Sequence, residues 1–151
     1  MKSDSITKKA GLIRKRSPEG LRFECQPGCT KCCAIPGIVF VHEREFQAMA
    51  DFLKLSLADF KKTYIKKHWG ELHQFNFPDA EPCSFLRPDG CSIYPVRPAQ
   101  CRAFPFWPEN MNKVETWINL KNVCPGIDKG KLYTVDEITD IMAEVSYGPF
   151  L

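Results

Sequence analysis

Eight cysteines stand in this chain of 151 residues, and four of them fall within nine positions: Cys25, Cys29, Cys32 and Cys33. The others follow singly at Cys83, Cys91, Cys101 and Cys124. A lone thiol packs as a small hydrophobe, so packing alone gives no reason for such density. Something that bonds to sulfur does. The adjacent pair sharpens this reading. Neighbouring Cα atoms lie about 3.8 Å apart, and in extended backbone successive side chains leave on opposite faces. Cys32 is therefore expected to join Cys29, and Cys33 to face the distal group Cys83, Cys91, Cys101 and Cys124. A metal would then close the long loop between Cys33 and Cys83. Eight sulfurs with one adjacent pair suit either one multi-iron cluster with spare thiols or two metal sites side by side.

Three sulfur chemistries compete. A disulfide scaffold needs an oxidising compartment, and an even cysteine count permits it. The stretch Met1 to Gly20 is polar and basic, without the apolar run of a signal peptide, which points instead to the cytoplasm and to reduced thiols. Zinc favours paired C-x2-C knuckles, of which Cys29/Cys32 is one while the later thiols arrive singly. An iron–sulfur cluster tolerates scattered thiolates, and a Cys followed by Pro, as at Cys124-Pro125, recurs in cluster loops. Iron–sulfur is slightly favoured and zinc stays open. The spacing Cys25-x3-Cys29-x2-Cys32 is also that of radical S-adenosylmethionine enzymes, but their partial barrel of alternating strands and helices needs a longer chain.

Arg97, Arg102 and Tyr94 are candidate partners of the sulfurs. Four thiolates around one Zn²⁺ leave a net negative charge, and arginine donors would offset it and orient the ligands. An ordinary salt bridge to Glu81 or Glu109 is the competing reading. His42, His68 and His73 show no paired ligand spacing and read as surface or packing residues; His42 alone adjoins the cysteine loop. There is no Gly-rich phosphate loop and no nucleophile–base signature.

The elements that must position these residues form one domain by length, able to bury about two-thirds of its unfolded surface. The expected division is a flexible basic arm over 1–20, carrying Lys2, Lys8, Lys9, Arg14, Lys15 and Arg16, followed by a cysteine-cluster domain over 21–151. A net charge of +3 is too small to imply nucleic acid, no apolar run reaches membrane-span length, and no protein partner can be named. Gly37 to Val41 reads as a buried strand. Phe46, Met49, Ala50 and Leu53 mark a helix over about 43–54. Ser56 with Asp59 caps a second, with Leu57, Phe60, Tyr64 and His68 inward and Lys61, Lys62, Lys66 and Lys67 outward. From Gly70 to Pro82 the signal is weak. The turn Pro88-Asp89-Gly90 should fold Cys83 and Cys91 toward each other, and Pro98 should open a short helical turn ending at Cys101 and Arg102. Phe104-Pro105-Phe106-Trp107-Pro108 adds an apolar wall. Trp117 and Ile118 read as a short strand, Cys124-Pro125-Gly126 as a turn, and 135–145 as a helix opened by a Thr134/Glu137 capping box. The fold class expected is α+β, mostly α-helical and irregular: a small single domain around a cysteine-rich metal centre, with about three helices and minor short strands.

Taken together, Phe23-x-Cys25, Cys29-x2-Cys32-Cys33, Cys83-x-Phe85-Leu86, Gly90-Cys91-Ser92-Ile93-Tyr94, Arg97-Pro98-x2-Cys101-Arg102, Phe104-Pro105-Phe106 and Cys124-Pro125-Gly126 resemble the zinc- or iron-chelating CxxCxxCC family of bacterial cysteine-cluster proteins. The resemblance runs from Phe23 to about Ile138. It departs from the family pattern in its first gap, where three residues rather than two separate Cys25 from Cys29. The resemblance implies binding of a metal ion or cluster by thiolates. A larger relative, the flagellin lysine methylase, has a similar cysteine region, but this chain shows no motif for that activity. Two classes of function follow: a metal- or cluster-binding module with a structural, sensory or metal-handling role, or a redox or group-transfer enzyme with the cluster as its working part. Fully ligated, buried metal would favour the first, and an exposed thiol or open iron position the second.

Overall fold

Short apolar runs broken by proline and glycine give many brief elements rather than a few long ones. A computed structural model describes residues 2–145, excepting the side chains of Lys2, Ser3, Lys67 and His68. Among the described residues there are seven α-helices and seven short strands in three small sheets. The α+β class holds, but the expectation of about three helices is too low. In chain order the first elements are α1 (Lys2–Arg16), β1 (Leu21–Phe23), α2 (Lys31–Ala34), β2 (Phe40–His42), α3 (Phe46–Phe52), α4 (Leu57–Tyr64), β3 (Ile65–Trp69) and β4 (Leu72–Phe75). After them come β5 (Leu86–Arg87), β6 (Gly90–Cys91), α5 (Ala99–Ala103), α6 (Val114–Leu120), β7 (Ile127–Tyr133) and α7 (Val135–Glu144). The chain divides into two compact units, Pro27–Arg102 and Met1–Gln26 with Ala103–Leu151.

In Pro27–Arg102 the core is largely aromatic. Val41, Phe46, Met49, Ala50, Phe60, Phe75, Phe85 and Ile93 are buried together, with Cys83 and Cys91 packed against them. Helix α3 contributes one stripe, Phe46, Met49 and Ala50, as its spacing requires. Helix α4 begins where Ser56 Oγ accepts the Asp59 N–H at 3.0 Å. It ends at Tyr64, and Ile65–Trp69 turns into strand β3 of the antiparallel sheet β2-β4-β3. His68 was expected to continue the helix's inner face and Lys67 its outer one. Both positions belong to the strand, and their side chains lie outside the described residues. Strand β4, which alternates half-buried and buried residues, falls in the stretch where the sequence signal was weak.

In the other unit, α1 packs on α7. The N-terminal stretch expected as an arm forms this helix, because Ile6, Ala10 and Ile13 recur at i, i+4 and i+7 and are buried with Trp117, Ile138 and Met142. Arg14 adds an ion pair to Asp136 at 2.9 Å. Helix α7 starts at the anticipated capping box: Thr134 Oγ1 accepts the Glu137 N–H at 3.2 Å, and Glu137 Oε2 accepts the Thr134 N–H at 2.8 Å. Trp117 and Ile118, expected in a strand, lie in helix α6. Its ring stacks on Phe106 at 5.8 Å and its Nε1–H donates to Asp128 Oδ1 at 3.3 Å. These tertiary contacts outweigh the weak helix propensity of Val114, Thr116 and Ile118. Among the described residues no helix is long and apolar enough to cross a membrane.

Candidate metal centre

Cys32 and Cys33 occupy a single helical turn. The Ala34 N–H donates to the Thr30 carbonyl at 3.0 Å, and Ile35 is already extended because it precedes Pro36. Successive side chains on a helix leave about 100° apart rather than on opposite faces. The two thiols therefore do not leave on opposite faces; they are hydrogen-bonded to each other, while Cys33 does face Cys91 and Cys83 of the distal group as expected. The premise of extended backbone fails at this turn.

The hairpin β5–β6 carries the next pair. Gly90, at φ +133°, takes a backbone conformation open to glycine, and the register sets Leu86 opposite Cys91 and Arg87 opposite Gly90. The Ser92 N–H closes on the Phe85 carbonyl at 2.8 Å. Cys83 and Cys91 are thus turned toward the same place. The Cys83 N–H donates to the Cys33 carbonyl at 3.0 Å, and the Cys91 thiol is hydrogen-bonded to Cys33.

Helix α5 supplies Cys101. Its first turn is closed by the Cys101 and Arg102 N–H groups on the Pro98 carbonyl, at 2.9 and 3.0 Å. Two residues hold this short helix against the rest of the unit. Glu45 is partly exposed as a residue, with its side chain about nine-tenths covered, and accepts the Ala99 N–H on Oε1 at 2.8 Å and the His42 N–H on Oε2 at 2.9 Å. Gln100 accepts the Phe40 N–H at 2.8 Å and donates to the Ile38 carbonyl at 3.1 Å. Sequence reasoning missed both, since the Glu45–Ala99 and Gln100–Phe40 bonds each span more than fifty residues of chain; the available signal for Glu45 was its place three residues after His42 at a helix start.

The charges around these sulfurs are specific. Cys33 sits between two sulfur acceptors, and its proton is held firmly: the hydrogen bonds to Cys32 and Cys91 push its thiol well above the ordinary range. The same bonds lower Cys32 and Cys91 to about 6 each, with Arg97 and Arg87 adding to the effect at Cys91. Burial raises Cys83. Cys101 is pushed up to about 12 by burial and by the neighbouring sulfurs Cys83, Cys32 and Cys91. Five thiols thus share one neighbourhood.

Of the expected cationic partners, Arg97 stands beside Cys91 and Cys101. Its guanidinium lies 3.8 Å from the centre of the Tyr94 ring and donates to the Tyr94 carbonyl at 2.8 Å, so Tyr94 acts through Arg97. Arg102 is engaged with Glu45 at 3.4 Å and the Arg97 carbonyl at 2.6 Å, neither of the acids anticipated for it. Arg87, which sequence reasoning did not single out, is the second cation beside Cys91 and is anchored on the Ser84 and Leu86 carbonyls at 3.0 and 2.7 Å. Its place in the hairpin turn next to Cys91 was the available signal.

The remaining thiols fall elsewhere. Cys29 is half-buried on the loop ahead of α2. Cys25 and Cys124 belong to the other unit. There β1 pairs with β7 at Phe23↔Ile127, and the Glu24 N–H donates to the Gly126 carbonyl at 3.2 Å. Cys25 and Cys124 follow at the same end of this two-stranded sheet. His73 is buried with its ring centre 5.2 Å from that of Phe46, a packing residue as expected, and His42 serves the capping box with Glu45.

The donor chemistry fits a thiophilic metal: five sulfurs close together, with two guanidinium groups to balance their charge. Among the described residues no three Cys, His, Asp or Glu side chains are yet grouped as a ready-made metal site. The thiols stand as neighbours, Cys33 in contact with Cys32 and Cys91. No disulfide occurs among the described residues. No solved structure matches the chain at a significant level. The match that does exist runs over residues 24–125, from just before Cys25 to just after Cys124, and by it the chain belongs to the CxxCxxCC family, described as a "Putative zinc- or iron-chelating domain".

Proposed function

We propose that this protein binds zinc or iron through the thiolates of Cys32, Cys33, Cys83, Cys91 and Cys101, with Cys29 as a further ligand from the same loop, and that an iron–sulfur cluster is the preferred occupant. Cys25 and Cys124 supply a second thiol pair in the other unit. The carrying observation is the position of Cys33, in contact with both Cys32 and Cys91 and hydrogen-bonded through its carbonyl to Cys83. Glu45 and Gln100 hold the helix that presents Cys101. Arg87 and Arg97 offset the negative charge that thiolate ligation creates. When bound, the metal supplies strong bonds to sulfur and so ties the loop before α2, the β5–β6 hairpin and α5 together. Such a centre needs a reducing compartment, for which we take the cytoplasm.

The test is purification without oxygen followed by elemental analysis, acid-labile sulfide determination and an absorption spectrum. Stoichiometric iron with sulfide establishes the cluster, and stoichiometric zinc without sulfide establishes the alternative. Protein with neither metal, and unable to take up either on reconstitution, would refute the reading.

A further inference from the structure

The sulfur contacts support chemistry beyond metal binding. Cys33 touches two other thiols, and only one of them can accept it as a disulfide partner without distortion. Disulfides span Cα separations of about 4.4–6.8 Å, whereas adjacent residues such as Cys32 and Cys33 are fixed at about 3.8 Å. Cys91 comes from a separate element. The Cys83 N–H on the Cys33 carbonyl at 3.0 Å already draws the hairpin's strand to the α2 turn, and the Cys33 and Cys91 thiols are in hydrogen-bond contact. The α2 turn and β6 are both short, so neither is held in place by a long hydrogen-bonded ladder. Cys32, beside them, is exposed, which gives small oxidants a way in.

We propose that Cys33 and Cys91 are a redox-active pair that a hydroperoxide converts to a disulfide, removing two thiols from the metal centre. This rests on the proposed metal site only for its consequence; the bond itself does not need the metal. One sulfur of the pair attacks a peroxide oxygen. The S–O bond forms, the O–O bond breaks, and the departing hydroxide leaves with the thiol's proton as water. The second sulfur then attacks the sulfenic sulfur. The S–S bond forms, the S–O bond breaks, and the second hydroxide and thiol proton leave as another water. Two thiols are oxidised by two electrons in total, and hydrogen peroxide is reduced to two waters. With Cys33 and Cys91 joined, the metal loses two of its six proposed ligands, only Cys29, Cys32, Cys83 and Cys101 remain in the unit, and the metal is held less tightly.

The experiment treats the full-length chain, metal-free and metal-loaded, with a single equivalent of hydrogen peroxide, then traps free thiols and maps disulfides by non-reducing mass spectrometry. The expected result is one dominant cross-link between the peptides of Cys33 and Cys91, in both forms, and metal release in step with it in the loaded form. The Cys32→Ser variant should retain the cross-link, and Cys91→Ser should lose it. If Cys91→Ser fails to fold, Cys32→Ser alone decides. A dominant Cys32–Cys33 or other disulfide, or oxidation to sulfinic acid without any cross-link, overturns the proposal. A chain that binds no metal yet forms Cys33–Cys91 refutes the metal reading and leaves the redox pair standing; a chain that binds metal but does not cross-link does the reverse.

Discussion

Glu45 is the side chain on which the placement of Cys101 most depends, and its removal has a calculable effect. Its carboxylate is about nine-tenths buried, and each oxygen accepts one backbone N–H: Ala99 at 2.8 Å and His42 at 2.9 Å. Bonds to a charged acceptor contribute about 1.5–3 kcal/mol each. Glu45→Ala removes both and leaves the N–H of buried Ala99 without its acceptor, so the loss should be about 3–5 kcal/mol, a large part of the roughly 5–15 kcal/mol of a typical domain. The ion pair to Arg102 adds little to this. Arg102 is half exposed, and such pairs contribute at most about 1 kcal/mol. The ranking Glu45→Ala, then Glu45→Gln, then Arg102→Ala follows, with the glutamine variant losing about half as much because one acceptor oxygen remains. Urea denaturation of the reduced, metal-free protein measures the stabilities. Hydrogen exchange at Ala99 and metal titration report on α5. Glu45→Ala within about 0.5 kcal/mol of the parent, or Arg102→Ala the more damaging, would refute the reasoning.

Metal removal should accelerate amide exchange across residues 83–101 while α3 and α4, which rest on the aromatic core, stay protected; equal protection with and without metal counts against a ligating role for those cysteines. In the metal-free protein, Cys32 and Cys91 are lowered from 9.0 to about 6, so the stability they contribute is complete above about 9 and is lost as pH falls through about 6. Cys101, raised to about 12, contributes fully below about 9 and loses that contribution as pH rises toward 12. Thiolate ultraviolet absorbance across the pH range should show early titration that Cys32→Ser and Cys91→Ser each diminish; a single wave near the ordinary thiol value contradicts it. Gly126→Ala should destabilise the other unit by about 1–3 kcal/mol, because its methyl would meet the Glu24 carbonyl oxygen and the Phe23 ring. Denaturation and exchange at Glu24 check this, and an unchanged Glu24 amide would contradict it.

Much of this was legible in the sequence where one local rule dominated. Ser56/Asp59 and Thr134/Glu137 announce α4 and α7 because a capping side chain acts within one turn of its own residue. Pro88-Asp89-Gly90 announces the hairpin that turns Cys83 and Cys91 together. Elements whose reason is distant were not legible. The helical state of Lys2–Arg16 rests on burying Ile6, Ala10 and Ile13 against residues more than a hundred positions away. Trp117 is helical because of Phe106 and Asp128. Among the site residues, the sulfurs declared themselves by type and spacing, whereas Glu45 and Gln100 look like ordinary surface residues until α5 is set beside β2.

The adjacent pair shows how one wrong local premise propagates. In extended backbone, Cys32 and Cys33 would serve different sites, and the two cysteine groups would be bridged by Cys33 alone. A four-residue helix is too short to show a period, so the sequence carried no sign of it, although Pro36 did mark where the helix must stop. Once the turn is helical, both thiols reach the same neighbours: Cys33 contacts Cys32 and Cys91, and the charge of Cys32 is felt at Cys83 and Cys101. The pair then acts as one two-sulfur donor, met by a second pair from the hairpin and a single thiol from α5. A centre assembled in this way draws on three elements whose own hydrogen bonding is slight. Its rigidity must come from Glu45, Gln100 and the Cys83–Cys33 backbone bond before a metal arrives, and from metal–sulfur bonds afterwards.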